Sequence, residues 1–247
     1  MTPHEAMGPP VLRFTATERA FHWGFALWYL LLLASGLPLM LPGLRPWIAG
    51  WTRVVGVRLH LVSAVLWVLV PAAAVMLGHR RALRGAARDL ACFSKGDWRW
   101  LARFPFWLFR RAGGATEVDR FNGGQKLFAW FTAGTSILLL LTGLALWPLD
   151  GRGAALGDLV AGAGSVRAWR YAHAFLSLVI SVPLAWHIFL AVVHPRTRPA
   201  LAGMLGGRVR ADWAAAEHPR WLTRVTSQPE MAGEAPDPAP HPPKNSP

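Results

Sequence analysis

Four long runs of apolar residues constrain this chain more than any other feature. They cover residues 21–41, 54–77, 127–147 and 169–194, and none contains Asp or Glu. Each exceeds the roughly 20 residues that an α-helix needs to cross the hydrocarbon core of a bilayer. Every backbone polar group must be satisfied internally in lipid, so such runs fold as helices. The sequence therefore predicts an all-α membrane protein, a bundle of four transmembrane helices.

Composition agrees with a membrane protein and disfavours other classes. The 247 residues are 53% hydrophobic and 16% charged, against about 25% charged in soluble domains. The net charge of +13 comes from basic residues spread between the apolar runs, so no nucleic-acid patch is expected. The single cysteine, Cys92, excludes disulfides within the chain, a cysteine-ligated iron–sulfur cluster and covalent c-type haem. It is interpreted as an ordinary interfacial residue.

The distribution of Lys and Arg predicts the orientation in the membrane. Four crossings place both termini and the segment between the second and third helices on one side. That side holds 20 of the 26 basic residues, and an excess of basic residues marks the cytoplasmic side. We expect cytoplasmic segments at 1–20 and 195–227, a membrane domain at 21–194, and a proline-rich disordered tail at 228–247.

Outside the apolar runs, local signals predict a few shorter features. Thr15 or Thr17 is expected to cap the first helix, and a short helix is expected near 204–216. In the basic, aromatic segment 78–126, Pro105 is expected to prevent one continuous helix. Two interpretations of that segment stay open: it lies in the headgroup region, or it is a solvated loop with some surface helix.

Four histidines within the predicted helices fall into two pairs of matching depth. His22 begins the first helix at the cytoplasmic side, and His60 begins the second at the outer side. In the fourth helix His173 lies near the outer side, and His187 lies on the same helix face about 21 Å further in. Depth thus pairs His22 with His187 and His60 with His173. Titratable rings inside a membrane face the bundle interior and mark functional sites.

Two histidines at one depth, on different helices, can hold a haem iron through both axial positions. Two such sites would form an electron path across the bilayer. A zinc or di-metal site would need ligands that converge at one point, often with carboxylates, and the four runs have none. The other histidines are interpreted as interfacial anchors or solvated tail residues: His79 and His194, and His4, His218 and His241.

Nearly the whole chain resembles the cytochrome b (gamma) subunit of respiratory formate dehydrogenase. The resemblance runs from RFTATERAFHW (13–23) through HIFLAVVHPRTRPALAGMLGGRV (187–209) to EHPRW (217–221). It implies a bacterial inner-membrane protein that receives electrons from an iron–sulfur beta subunit and passes them to menaquinone or ubiquinone. A separate molybdenum- or tungsten-containing alpha subunit would oxidise formate, and this chain would contribute no catalytic residue to that reaction.

The resemblance also implies two haem b groups and their axial ligands. In that family, residues matching His22 and His187 hold the cytoplasmic-side haem. Residues matching His60 and His173 hold the outer-side haem. The implied ligand pairs are the same as those predicted from depth alone.

A quinone site is predicted just before the third helix. In the same family an N-x-G-Q-K motif lines a quinone pocket beside the cytoplasmic-side haem, and Asn122, Gly124, Gln125 and Lys126 match it, with His187 nearby. Asn and Gln amides can donate hydrogen bonds to a quinone carbonyl, and glycine lets backbone approach a flat ring closely. Alternatively, Asn122 caps the helix and the glycines belong to a loop.

Two other functions stay open from the sequence. One is the cytochrome b subunit of a related quinone-linked complex, such as a nickel–iron hydrogenase or a thiosulfate reductase. The other is a haem-free membrane anchor or transporter, which an absorption spectrum would distinguish because a bis-histidine haem has sharp reduced bands.

The predicted orientation has a direct test. We expect both termini and the loop around Arg99 to face the cytoplasm, because that side holds most of the basic residues. Reporter fusions or cysteine labelling in intact cells would measure this. Labelling of the 78–126 segment from outside would contradict the topology and the direction of electron flow.

Overall fold

A computed structural model describes residues 9–48, 50, 52–109, 117–147 and 166–227. Helices dominate it, with one two-stranded sheet and short 3₁₀ helices at Pro42–Trp47 and Arg198–Ala200. The predicted disordered tail at 228–247 lies outside the described residues. In chain order the elements are β1 (Val11–Leu12), α1 (Ala16–Met40), α2 (Arg53–Leu77), α3 (Arg80–Ala91), α4 (Lys95–Phe109), α5 (Gly123–Leu146), α6 (Val166–Val192), α7 (Leu201–Gly206), β2 (Arg208–Val209), α8 (Ala211–Glu217) and α9 (Pro219–Ser227).

Four of these helices, α1, α2, α5 and α6, are long and apolar enough to cross a membrane. This confirms the predicted fold class. Large apolar side chains such as Leu69, Phe175 and Val182 are exposed on them, as a lipid-facing surface requires. Several of the buried positions are instead small and polar, Ser35 and Ser63 among them. Small residues at such interfaces let transmembrane helices approach closely.

The long helices pack as two pairs. In the described part of the chain α1 packs mainly along α2, and α5 along α6, while the pairs approach each other only sparsely. At one point of the first pair, a Cβ atom added to Gly24 would lie 2.7 Å from Val70 Cγ1. Only glycine therefore fits this contact without a shift of its neighbour. The histidines face one another across the interval between the two pairs.

Side-chain caps fix where α1 and α4 begin. Glu18 N–H donates to Thr15 Oγ1 (3.3 Å) and Thr15 N–H to Glu18 Oε2 (2.8 Å), so Thr15 caps α1 as predicted. Ser94 and Asp97 form the same reciprocal bonds before α4, at 3.2 and 2.7 Å. Such a pair satisfies two backbone donors that a helix start leaves free.

The expectation that Pro105 interrupts a helix is wrong. The helical backbone of α4 continues through Pro105 to Phe109. The interruption between helices lies instead at 92–94, between α3 and α4. The Ser94 cap explains where α4 starts, because its hydroxyl accepts from the first turn. The segment after the second membrane helix thus contains two helices, of which α4 packs against α5.

A small layer outside the four long helices joins the segment before α1 to the segment after α6. Strands β1 and β2 pair antiparallel, with Val11 opposite Val209. Val209, Ala214 and Trp221 form a buried apolar cluster beside them. The single helix expected near 204–216 is wrong, because Gly207, at φ +85°, ends α7 in the left-handed region that glycine adopts without steric cost. The chain then enters β2 and α8.

His218 was expected to be solvated, and this expectation is wrong. Its side chain is buried, its Nδ1 lies 2.7 Å from the Asp119 carbonyl oxygen, and its Nε2 lies 3.0 Å from Arg13 Nη2. The carbonyl can only accept, so Nδ1–H donates to it and Nε2 accepts from Arg13. Burial, followed by the Arg13 charge, holds the pKa of His218 well below its usual value. His4 and His241 lie outside the described residues.

Candidate functional site

The structure brings the four helix histidines together in two pairs. The ring centroids of His22 (α1) and His187 (α6) are 6.4 Å apart, with an interplanar angle of 63°. Those of His60 (α2) and His173 (α6) are 6.2 Å apart, with an angle of 77°. Both pairs span the interval between the two helix pairs, and α6 supplies one histidine to each. These are the pairs that depth predicted.

The spacing within each pair suits one metal ion between two imidazoles. A metal–imidazole nitrogen bond is about 2.0–2.1 Å, and the ring centre lies roughly 1 Å further, which places two axial rings about 6 Å apart. No cluster of three or more His, Cys, Asp or Glu that could hold a metal occurs within the described ranges. Two-histidine axial ligation therefore fits the geometry better than a zinc or di-metal centre.

Each imidazole of the His60–His173 pair lies against a glycine of the neighbouring helix. A Cβ atom added to Gly36 would lie 3.4 Å from His60 Cε1, and one added to Gly143 would lie 3.5 Å from His173 Cε1. A methyl group would just touch the ring, so any larger side chain would displace it. The residue before each glycine has a hydroxyl group that contacts the same histidine. Ser35 Oγ is 3.0 Å from His60 Nδ1, and Thr142 Oγ1 is 2.8 Å from His173 Nδ1.

The His22–His187 pair has aromatic neighbours instead. Phe128 of α5 stacks on His187, with ring centroids 4.7 Å apart and planes 10° from parallel. Trp23 lies edge-on to His22 at 5.3 Å, and its indole N–H donates to the Met204 carbonyl (2.8 Å). An aromatic ring therefore contacts each histidine of this pair, and Trp23 links α1 to α7.

The predicted quinone residues form the start of α5. Gln125 N–H donates to Asn122 Oδ1 (2.9 Å), and Asn122 N–H donates to Gln125 Oε1 (3.0 Å). Asn122 therefore caps the helix, as the alternative interpretation expected, and the cap uses both amide oxygens. The expectation that the glycines belong to a loop is wrong, because Gly123 and Gly124 lie in the first turn of α5. Neither amide nitrogen has a hydrogen-bond partner among the described residues. A Cβ atom added to Gly124 would lie 2.8 Å from the Trp100 indole. The space beside this glycine is therefore filled by Trp100 of α4.

Comparison with known proteins supplies the family. The prokaryotic cytochrome b561 family matches residues 13–207, which is most of the chain. The chain belongs to that family. It is 25% identical, over 91% of its length and 97% of the relative's, to the cytochrome b556(fdo) subunit of formate dehydrogenase from Escherichia coli K12. It is 24% identical, over 87% and 91%, to the cytochrome b556(Fdn) subunit of the nitrate-inducible formate dehydrogenase of the same strain.

The comparisons confirm the resemblance predicted from the sequence. A member of a cytochrome b family with four membrane-crossing helices is an integral membrane protein that carries haem b. In this cytochrome the ring centroids within the two histidine pairs are 6.4 and 6.2 Å apart. This spacing suits axial ligation of a haem iron. Sequence reasoning missed Ser35 and Thr142, although each precedes a glycine within an apolar run, which is a visible signal.

Lys126 of the cytochrome is held by a buried ion pair. Its Nζ lies 2.7 Å from Asp97 Oδ2 and 2.8 Å from the Cys92 carbonyl oxygen, and the two side chains are 6% and 4% exposed. Two of its three ammonium hydrogens are thus engaged within the protein. The pair fastens α4 to the first turn of α5, which positions Asn122 and Gln125.

Removal of this lysine tests its structural role. Lys126→Met leaves a buried carboxylate without its cation, so we expect a loss of about 3–5 kcal/mol in the free energy of unfolding. The double variant Lys126→Met/Asp97→Asn removes the unpaired charge and keeps an oxygen that accepts from Ser94 N–H, so it should recover most of that loss. The midpoint of thermal unfolding in detergent, followed through the α-helical circular dichroism, reports both.

The exposed pair of Arg99 and Glu117, with side chains 55% and 42% exposed, is the matched control. Arg99→Met should change the free energy of unfolding by no more than about 1 kcal/mol. If Lys126→Met is as stable as Arg99→Met, the buried pair does not hold α4 on α5.

Proposed function

We propose that the chain is the two-haem cytochrome b subunit of a formate dehydrogenase. In this role it passes electrons from an iron–sulfur subunit at the outer side across the membrane to quinone. The observation that carries the proposal is the presence of two histidine pairs, each with ring centroids just over 6 Å apart, at opposite ends of α6. The names of the two formate dehydrogenase relatives support the choice of complex.

Each pair has its own part in the proposal. His60 and His173 hold one haem b near the outer surface, and His22 and His187 hold another near the cytoplasmic surface. Haem b supplies reversible one-electron redox chemistry. The protein orients the axial rings and surrounds them with apolar helix faces, which exclude water. His173 and His187 are about 21 Å apart along α6, so the two sites together extend across most of the bilayer.

The proposed quinone site adjoins the cytoplasmic-side pair. Asn122 and Gln125 begin α5, and Phe128, which stacks on His187 at 4.7 Å, follows Asn122 by about 9 Å along the helix axis. The free amide nitrogens of the cap can donate to a quinone carbonyl. Lys126 contributes through its ion pair with Asp97, and Gly124 through its contact with Trp100, so both position the cap.

The orientation gives the reaction its energetic consequence. With both termini in the cytoplasm, electrons enter from the outer side and quinone takes its protons from the cytoplasm, which separates charge across the membrane. Formate is oxidised on a separate molybdenum- or tungsten-containing subunit. A cytochrome b subunit of a nickel–iron hydrogenase or of a thiosulfate reductase remains the alternative. Identification of the subunits that copurify with the chain decides between them.

Haem content tests the ligand assignment. His60→Ala or His173→Ala should reduce the haem b from two to one per chain, and so should His22→Ala or His187→Ala, because each change removes one axial ligand. The pyridine haemochrome assay on protein purified from membranes measures this ratio. His79→Ala is the matched control, since His79 bonds to Thr17 through its backbone N–H and not through its ring. Two haems per chain after any of the four ligand changes would refute the assignment.

A cap-preserving substitution tests the quinone site. Asn122→Asp keeps an oxygen that accepts from Gln125 N–H but removes the amide donor, whereas Asn122→Ala removes both. Loss of one hydrogen bond costs about 0.5–1.5 kcal/mol, so both variants should slow haem reoxidation several-fold at subsaturating quinone. Stopped-flow spectroscopy of the complex measures this rate. If Asn122→Asp reoxidises at the wild-type rate, Asn122 is only a helix cap.

A further inference from the structure

The outer histidine pair has hydroxyl partners that occupy equivalent places in the two helix pairs. Ser35 of α1 lies beside His60 of α2, and Thr142 of α5 lies beside His173 of α6, at 3.0 and 2.8 Å from the respective Nδ1 atoms. Ser35 and Thr142 are both buried. One hydroxyl from each helix pair thus reaches the side of the ring opposite Nε2.

The direction of the Ser35 bond follows from its other contacts. Ser35 Oγ lies 2.7 Å from the Leu31 carbonyl oxygen and 3.2 Å from that of Leu32. Carbonyl oxygens only accept, so the single hydroxyl proton is directed to them. Ser35 Oγ therefore accepts from His60 Nδ1–H. The proton on Nδ1 leaves Nε2 as the nitrogen with a free lone pair.

Thr142 makes the same pattern. Its Oγ1 lies 2.9 Å from the Leu138 carbonyl oxygen and 3.1 Å from that of Leu139, so it accepts from His173 Nδ1–H. The contacts of Gly36 and Gly143 with the ring Cε1 atoms allow each ring to sit close enough for this bond. Both outer histidines therefore have the same tautomer, with Nε2 ready for a metal.

The cytoplasmic-side pair differs in this respect. Within the described ranges, no residue forms a side-chain hydrogen bond to the ring of His22 or His187. The ring neighbours of these histidines are Phe128 at 4.7 Å and Trp23 at 5.3 Å. An acceptor on the second ring nitrogen raises the basicity of a metal-bound histidine, so the two pairs are unequal as electron donors to a metal.

We propose that Ser35 and Thr142 are positioning residues that keep the outer haem at a lower midpoint potential than the cytoplasmic-side haem. More basic axial imidazoles stabilise ferric over ferrous iron, because the extra positive charge gains more from their electron density. Two haems held by these residues would then favour electron transfer from the outer site to the inner one, without transfer of a proton. This inference rests on the two-haem function proposed above.

A purely structural role is the competing explanation. Serines and threonines within helices often bond back to a carbonyl of their own helix, and the half-buried Ser181 of α6 does so, with its Oγ 2.7 Å from the Ser177 carbonyl oxygen. Ser181 has no hydrogen bond to a histidine among the described residues, so Ser181→Ala is the matched control. If these hydroxyls served packing alone, removing the one at Ser35, Thr142 or Ser181 would have the same effect on the haem midpoint potentials.

The test is a spectroelectrochemical redox titration of the purified complex that contains the full chain. Ser35→Ala/Thr142→Val should raise the ferrous-to-ferric ratio of the outer haem about tenfold at fixed solution potential, or about 59 mV for one electron. The inner haem should titrate as in the wild type. Ser35→Thr/Thr142→Ser retains both hydroxyls and should restore the wild-type potential. The His22→Ala background, which leaves only the outer pair, identifies the component that shifts.

The outcomes separate this inference from the proposed function. Wild-type protein with fewer than two haems would overturn the proposed function, and the inference with it. Two haems with unshifted potentials in Ser35→Ala/Thr142→Val would overturn only the inference, as would an equal shift in Ser181→Ala. If Ser35→Ala loses the outer haem, the titration is repeated with Ser35→Cys in place of Ser35→Ala. Sulfur is a weak acceptor, so the shift should keep its sign, and no shift would overturn the inference.

Discussion

The constraint on which the structure depends is the cost of placing polar rings in lipid. An unpaired imidazole within the hydrocarbon layer is expensive and must find a partner inside the bundle. The chain meets this requirement by arranging its membrane helices as two pairs, α1 with α2 and α5 with α6, and by directing histidines from both into the interval between them. The two ring-to-ring separations, 6.2 and 6.4 Å, leave room for a metal rather than for a direct hydrogen bond.

A buried ion pair fixes the end of this arrangement that holds His22. Arg120, just before α5, pairs with Glu18 in the first turn of α1 at 2.6 Å, and the two side chains are 12% and 6% exposed. Glu18 is one helical turn before His22, so this buried pair ties the height of His22 to the start of α5. Breaking a buried pair is costly because it leaves a charge unsatisfied. The geometry around the proposed quinone site therefore depends on a charged pair at the end of the helix bundle.

Local and periodic features of the sequence predicted most of the framework. The apolar runs, the helical period of α6 and the Thr15 cap are contained within short stretches, so the histidine pairing followed from them. The interactions that were missed join distant residues: Arg13 with His218, Val11 with Val209, and Ser35 with His60. Such contacts depend on packing between elements. Pro105 shows the converse, because a local helix-breaking signal was overridden within α4.

We propose that one chain holds two haem irons, each between two imidazoles at a different membrane depth. Low-temperature electron paramagnetic resonance of the oxidised protein tests it most directly, because the signal reports the axial ligands of each ferric iron. The account predicts two distinct low-spin signals of equal intensity, together two spins per chain. A single low-spin species, or a high-spin signal that accounts for one haem, would contradict the account.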